Sequence, residues 1–151
     1  MAGTENNDTP SLANTVVSGG ELKGQLSSET DIDYYKIDLA AAGQISVLFD
    51  KASSTFNNYY AVSIVDSTGT LLARRETGAD TSFSTGVTSA GSYYVSVDAF
   101  TDSFGTTYYD SREYGLTVQS QEGVTSGVET EGNNTLGEAD EVISGQEIKG
   151  Q

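Results

Sequence analysis

The chain has 151 residues, with 22 acidic against 7 basic side chains and a formal net charge of −15. It contains neither cysteine nor histidine, which excludes disulfides, thiolate or imidazole metal ligands, a Ser-His-Asp triad and an imidazole general base. So acidic a surface repels phosphate backbones and anionic lipid headgroups, while it attracts hard cations such as calcium, whose ligands are carboxylate and carbonyl oxygens.

In chain order, Met1-Ala2-Gly3 is too short and polar for a signal peptide and reads as the start of a chain cut from a longer protein. Residues 1–20 read as a leading segment that opens on an acidic cluster, Glu5-Asn6-Asn7-Asp8. Residues 9–15 are the one stretch of the unit expected to make a helical turn. Residues 21–120 read as a sandwich domain. A second acidic cluster, residues 29–33 (ETDID), enters the first clear strand. If that segment is extended, Asp31 and Asp33 project to the same side, where two carboxylates repel unless a cation lies between them.

From Asp33 to Leu39 the residues alternate, with Tyr35, Ile37 and Leu39 on one face. After the Ala42-Gly43 turn, Ile45, Val47 and Phe49 form the next inward set, followed by Tyr60, Val62 and Ile64. An Asp66-Ser67-Thr68-Gly69 turn leads to candidate strands over 71–75 and 81–87. Ala90-Gly91 turns into Tyr93, Val95 and Val97, and Tyr114, Leu116 and Val118 close the series. Alternation at period two, with turns at short intervals, predicts an all-β fold: an antiparallel, jelly-roll-like sandwich of about eight strands. One proline and 17 glycines fit many tight turns. No apolar run is long enough to span a bilayer as a helix, so no membrane insertion is expected.

The two ends resemble one another. Residues 4–25 (TENNDTPSLANTVVSGGELKGQ) align without gaps on residues 130–151 (TEGNNTLGEADEVISGQEIKGQ) at a constant offset of 126. Glu5 matches Glu131, Asn7 matches Asn133, Ser18-Gly19 match Ser144-Gly145, and Lys23-Gly24-Gln25 match Lys149-Gly150-Gln151. The chain therefore carries one unit of a tandem array and the opening of the next. Residues 121–151 read as a linker, poor in apolar residues over 123–131, followed by that opening segment.

The pattern Glu-x-Asn-Asp, then Gly-x-Leu, then Asp-x-Asp-Tyr-Tyr-x-Ile-x-Leu resembles the opening of bacterial pre-peptidase C-terminal domains. The run from Ala90 to Val97 (AGSYYVSV) is similarly typical. The likeness covers roughly residues 4–119. That family includes the collagen-binding domains of clostridial collagenases, jelly-roll sandwiches that bind calcium through their N-terminal linker and the turn before the Asp-x-Asp-Tyr strand. What the resemblance implies here is a Ca2+ site made by Glu5, Asn7, Asp8, Asp31 and Asp33, stapling the leading segment to the sandwich. The second copy repeats the linker half of that site with Glu131, Asn133 and Asn134. Its counterparts of Asp31 and Asp33 are not in the chain, so this tail is expected to be mobile or to dock on a neighbouring molecule.

Aromatic exposure is the other informative feature. If Tyr93, Val95 and Val97 face inward, Tyr94 and Phe100 face outward, and Tyr34 does so from its own strand. Residues 101–113 form a long loop carrying Tyr108 and Tyr109. Tyr34, Tyr94, Phe100, Tyr108 and Tyr109 are the candidate ligand-binding residues, since such rings stack on sugars or peptide. The competing reading folds them over the sandwich edge as a satellite cluster. Ser96 and Asp98, at outward positions where collagen-binding relatives present further rings, argue against collagen as the ligand.

Taken together, the sequence predicts a non-catalytic, calcium-binding repeat module of a large bacterial adhesin or secreted protein, located outside the cell or on its surface. It would act as a rigid spacer, a ligand binder, or both. The alternative is an accessory carbohydrate- or protein-binding domain of a secreted protease or polysaccharide-degrading enzyme. Expected partners are neighbouring repeats and a glycan or extracellular protein, not nucleic acid. The unit is expected to be monomeric, with tail exchange between molecules as the exception.

Overall fold

Side chains that alternate in the sequence alternate in burial over residues 32–39, 43–51 and 81–87, and this positions those strands. The computed structural model describes residues 6–51 and 57–123; Glu5 and the second copy of the leading segment lie outside these. A 3-10 turn (Pro10–Leu12), where a helical turn was expected, is followed by β1 (Asn14–Thr15), β2 (Glu21–Gly24), β3 (Ile32–Leu39), β4 (Gly43–Lys51) and β5 (Tyr60–Asp66). Then come β6 (Leu71–Thr77), β7 (Thr81–Val87), β8 (Gly91–Thr101), β9 (Thr107–Tyr108) and β10 (Tyr114–Glu122).

Two sheets result. One has the order β2-β10-β4-β7; the other runs β1-β3-β8-β5-β6, with β9 paired to β8. The eight longer strands fall into the orders 2-10-4-7 and 3-8-5-6, the two interlocked four-stranded sheets of a jelly roll. Two features depart from the expected eight antiparallel strands. β1 and β9 are two-residue additions, and β1 pairs with β3 in parallel, Asn14 opposite Tyr35 and Thr15 opposite Lys36. β2 was not anticipated: of its four residues only Leu22 is apolar, and its pairing with β10 places it.

The core lies between the sheets. Tyr35, Ile37 and Leu39 of β3 meet Ile45, Val47 and Phe49 of β4, with Val62 and Ile64 of β5, Val95 and Val97 of β8, and Leu116 and Val118 of β10. At one end Phe49, Tyr60 and Tyr114 form a ring cluster with centroids 5.0–5.8 Å apart, a spacing at which aromatic pairs add to simple area burial.

The leading segment is laid along the edges of both sheets. The Tyr34 N–H donates to the Asn7 carbonyl (2.9 Å), the Val16 N–H to the Lys36 carbonyl (2.8 Å), and the Gly19 N–H to the Val118 carbonyl (2.9 Å). Ser18 Oγ accepts from the Ser120 N–H at 2.9 Å. Gly24 is required by the close approach of β2: an added Cβ would stand 2.4 Å from the hydroxyl oxygens of Tyr35 and Tyr114.

Candidate metal and ligand sites

Of the residues implied as calcium ligands, Asn7 is hydrogen-bonded through its carbonyl to the start of β3, where Asp33 lies, and Asp31 just precedes that strand. Asp33 has the parity of Tyr35, Ile37 and Leu39, so its carboxylate points inward and is buried. There Oδ2 accepts the Tyr114 hydroxyl proton at 2.5 Å. Because that proton is committed, the 2.9 Å contact between the two phenols has Tyr35 as donor. Burial, first, and the neighbouring Tyr35 and Asp33 push the Tyr114 phenol well above its ordinary range. Asp31 lies just outside the strand, and its Oδ2 accepts from the Ser27 N–H at 2.6 Å. Asp8 is exposed.

Asn7 is the unusual member. It is fully buried, and neither Oδ1 nor Nδ2 of its carboxamide has a hydrogen-bond partner. Its own carbonyl binds the amide that follows Asp33. Leaving a buried polar group unmatched costs about 1–3 kcal/mol, a cost that an ion or a water at this oxygen would relieve. Among the described residues, no three acidic side chains converge closely enough to hold a metal by themselves. A cation here would draw on Asn7 Oδ1 and backbone oxygens as well as carboxylates, an oxygen-only set of the type calcium accepts. The Asn7 carbonyl is thus tied to β3 beside Asp33, Asp31 lies just before that strand, Asp8 is exposed, and Glu5 lies outside the described residues.

The proposed ligand face is the outer side of the six-stranded sheet. Tyr34 is opposite Ser96, Lys36 opposite Tyr94, and Ser63 opposite Ser96 on the other side. Tyr34 and Tyr94, both half-buried, thus share the outer face with Ser96, Ser63 and Ala61, which are buried there, Ser63 Oγ accepting from Arg74 Nη1 at 3.2 Å. Asp98 continues that row. Its Oδ1 is buried without a partner, and burial raises its carboxyl above the usual range, partly offset by Arg74. Further along, Phe100 and Tyr108 are cross-strand partners whose rings lie at 6.3 Å and 22°. With Asn57, Asn58 and Asp102 they line an open cleft of about 390 Å3. Tyr109 is exposed on a separate shallow cleft with Tyr59, Asp110, Ser111 and Arg112. The five rings are consequently divided between the outer sheet face and two separate clefts.

One important group was not anticipated. Lys51 continues the inward parity of Ile45, Val47 and Phe49, and its Nζ is buried 3.0 Å from Asp110 Oδ2. Arg112 donates to the same carboxylate at 2.6 Å, and the Tyr60 hydroxyl donates to the Asp110 carbonyl at 3.0 Å. Hydrogen bonds from Arg112, then those from Lys51, hold the Asp110 carboxyl well below the carboxylate range against the opposing effect of burial. A lysine at an inward position of an alternating strand was the available signal, since such a charge requires a partner.

The chain is a jelly-roll β-sandwich with the fold of the pre-peptidase C-terminal domain. It is similar to that domain of a collagenase from Bacillus anthracis, with a TM-score of 0.51 and 19% identity, covering 71% of this chain and 94% of that one. A periplasmic inhibitor of g-type lysozyme from Aeromonas hydrophila gives a TM-score of 0.49 at 15% identity, covering 72% of this chain and 96% of that one. No protein-family model matches the sequence, and no curated protein matches it significantly. At 19% identity the likeness to the collagenase domain defines the fold.

Proposed function

We propose that this chain is a non-catalytic module of a secreted or cell-surface bacterial protein, in which calcium fastens the leading segment to the sandwich. The observation that carries the reading is Asn7: a buried carboxamide without partners, docked through its carbonyl beside Asp33. Calcium would be held by Asn7, Asp31 and Asp33, with Asp8 and Glu5 completing the set from the segment itself. The cation would supply charge neutralisation and fixed coordination, and so link binding to stability. The fold shared with a collagenase's pre-peptidase C-terminal domain supports an accessory role outside the cell. The pronounced negative charge supports a cation partner. Thermal melting with calcium and with chelator is the test, on wild type and on Asp31→Ala. Calcium is expected to raise the wild-type melting temperature and to have little effect on Asp31→Ala; an identical wild-type melt under both conditions sinks the proposal.

A second role, ligand binding, is favoured by the cleft between Phe100–Tyr108 and Asn57–Asn58. Paired rings beside amides and a carboxylate suit a neutral sugar or a polar peptide. This is the accessory substrate-binding reading, and the adhesin reading needs the same surface. A glycan and extracellular-matrix binding screen of wild type and Tyr108→Ala addresses it, and equal signals from both proteins would count against this cleft.

A further inference from the structure

The two copies of the leading segment differ in a pattern that the structure explains. Of the 22 aligned positions, 12 are identical, and they include the contacts by which residues 7–25 are held on the sandwich. Buried Asn7 and Val16 are kept as Asn133 and Val142. Ser18, which grips Ser120, is kept as Ser144. Gly19, at φ +79 with its amide on Val118, is kept as Gly145. Gly24, packed against two tyrosine hydroxyls, is kept as Gly150, and Leu22 becomes the similar Ile148.

The altered positions are mostly those facing solvent. Asn6, Asp8, Pro10, Ser11, Leu12, Thr15 and Val17 are all exposed, and all differ in the second copy. Gly20, replaced by Gln146, is one partly buried exception. A Cβ there would lie 3.2 Å from the Val17 carbonyl, a contact a small shift of the turn relieves.

We infer that the groove formed by the edges of β3 and β10 accepts residues 130–151 in place of residues 4–25, within the same molecule. The connection allows it. β10 ends at Glu122, and the Gly123 amide binds the Ala42 carbonyl, at the far end of β3 from Tyr34. The eight residues of β3 span roughly 25 Å, and the nine residues 124–132 reach about 30 Å when extended. A tethered segment competes at an effective concentration near the millimolar range, above that of a segment on another molecule in dilute solution. The sandwich thus has two ligands for one groove, and weakening the first transfers the groove to the second.

The absence of native cysteine makes a disulfide trap specific. Thr15 and Lys36 are directly opposed, so Thr15→Cys/Lys36→Cys in the otherwise native chain reports docking of the first copy. Lys36→Cys/Glu141→Cys, in the full chain carrying Val16→Asp, reports docking of the second. Val16→Ala serves as the background if Val16→Asp does not fold. The expected result is an intramolecular disulfide in a monomer for both pairs. Closure of the first pair alone overturns the inference, and closure of the second pair only as a covalent dimer overturns its intramolecular form. Melting provides an independent readout: Val16→Asp/Val142→Asp is expected to melt below Val16→Asp, whereas equal melting temperatures contradict the exchange.

Discussion

Two peripheral segments are fastened to this sandwich by different physics. The loop after β8 is closed from within: Lys51, Asp110, Arg112 and the Tyr60 hydroxyl satisfy one another, and two tyrosine rings flank the ammonium, Tyr59 at 4.8 Å and Tyr60 at 5.7 Å. The leading segment is held by backbone hydrogen bonds and close-packed small residues, yet it buries the Asn7 carboxamide with nothing to bind. A latch complete in its own side chains needs no ligand. A segment docked around an unmatched oxygen is where the proposed cation would contribute most, and where the second copy would compete.

The largest expected effect is on the charged latch. Asp110→Ala strands a buried ammonium, and truncating one member of such a pair costs about 3–5 kcal/mol; a denaturant-unfolding midpoint would show it. Lys51→Met/Asp110→Leu should recover much of the loss, because neither charge is then left alone. The pH sign follows from the depressed carboxyl. Asp110 contributes stability above its unfolded value of 3.8 that is lost as pH falls below it toward the lower folded value. Acid titration of the melting temperature should therefore be less steep for the double variant.

The leading-segment junction should respond less. Gly24→Ala drives a methyl into the Tyr35 and Tyr114 hydroxyls, and overpacking of this kind costs about 1–3 kcal/mol. Tyr114→Phe leaves the Asp33 carboxylate without that donor, again at about 1–3 kcal/mol. Asn7→Leu sharpens the contrast further. It removes the partnerless amide, so chelated protein should lose little stability while the response to calcium disappears; a retained response would place the cation elsewhere. The smallest effect on stability is expected for Tyr108→Ala, within about 0.5 kcal/mol at an exposed site, with the loss confined to ligand binding.

The aromatic candidates show how far parity carries. Counting by twos from Tyr93, Val95 and Val97 correctly placed Tyr94 and Phe100 on the outer side of β8, because a strand's side-chain period is fixed by its backbone. The same count from Tyr35 put Tyr34 outside, but Asp33 was read only as a cation ligand at a turn, and its inward, buried carboxylate emerged from the structure. The count could not show that Tyr114, 81 residues later, would donate a proton there. Nor could it show that Tyr108 would pair with Phe100 while Tyr109 faced a different cleft.

What the sequence determined by itself was therefore local or periodic: the β class, the long strands with their inward faces, the duplicated leading segment, and the exclusion of histidine and thiol chemistry. The tertiary structure decided which edges meet. β2 carries one apolar residue and forms a strand because β10 offers a ladder, and β1 runs parallel to β3 because the leading segment is drawn along that edge. The latch at Asp110 and the isolation of Asn7 depend on side chains distant in sequence meeting where water is excluded. Hydrogen bonds and charges gain their value from that exclusion, and no period in the sequence encodes it.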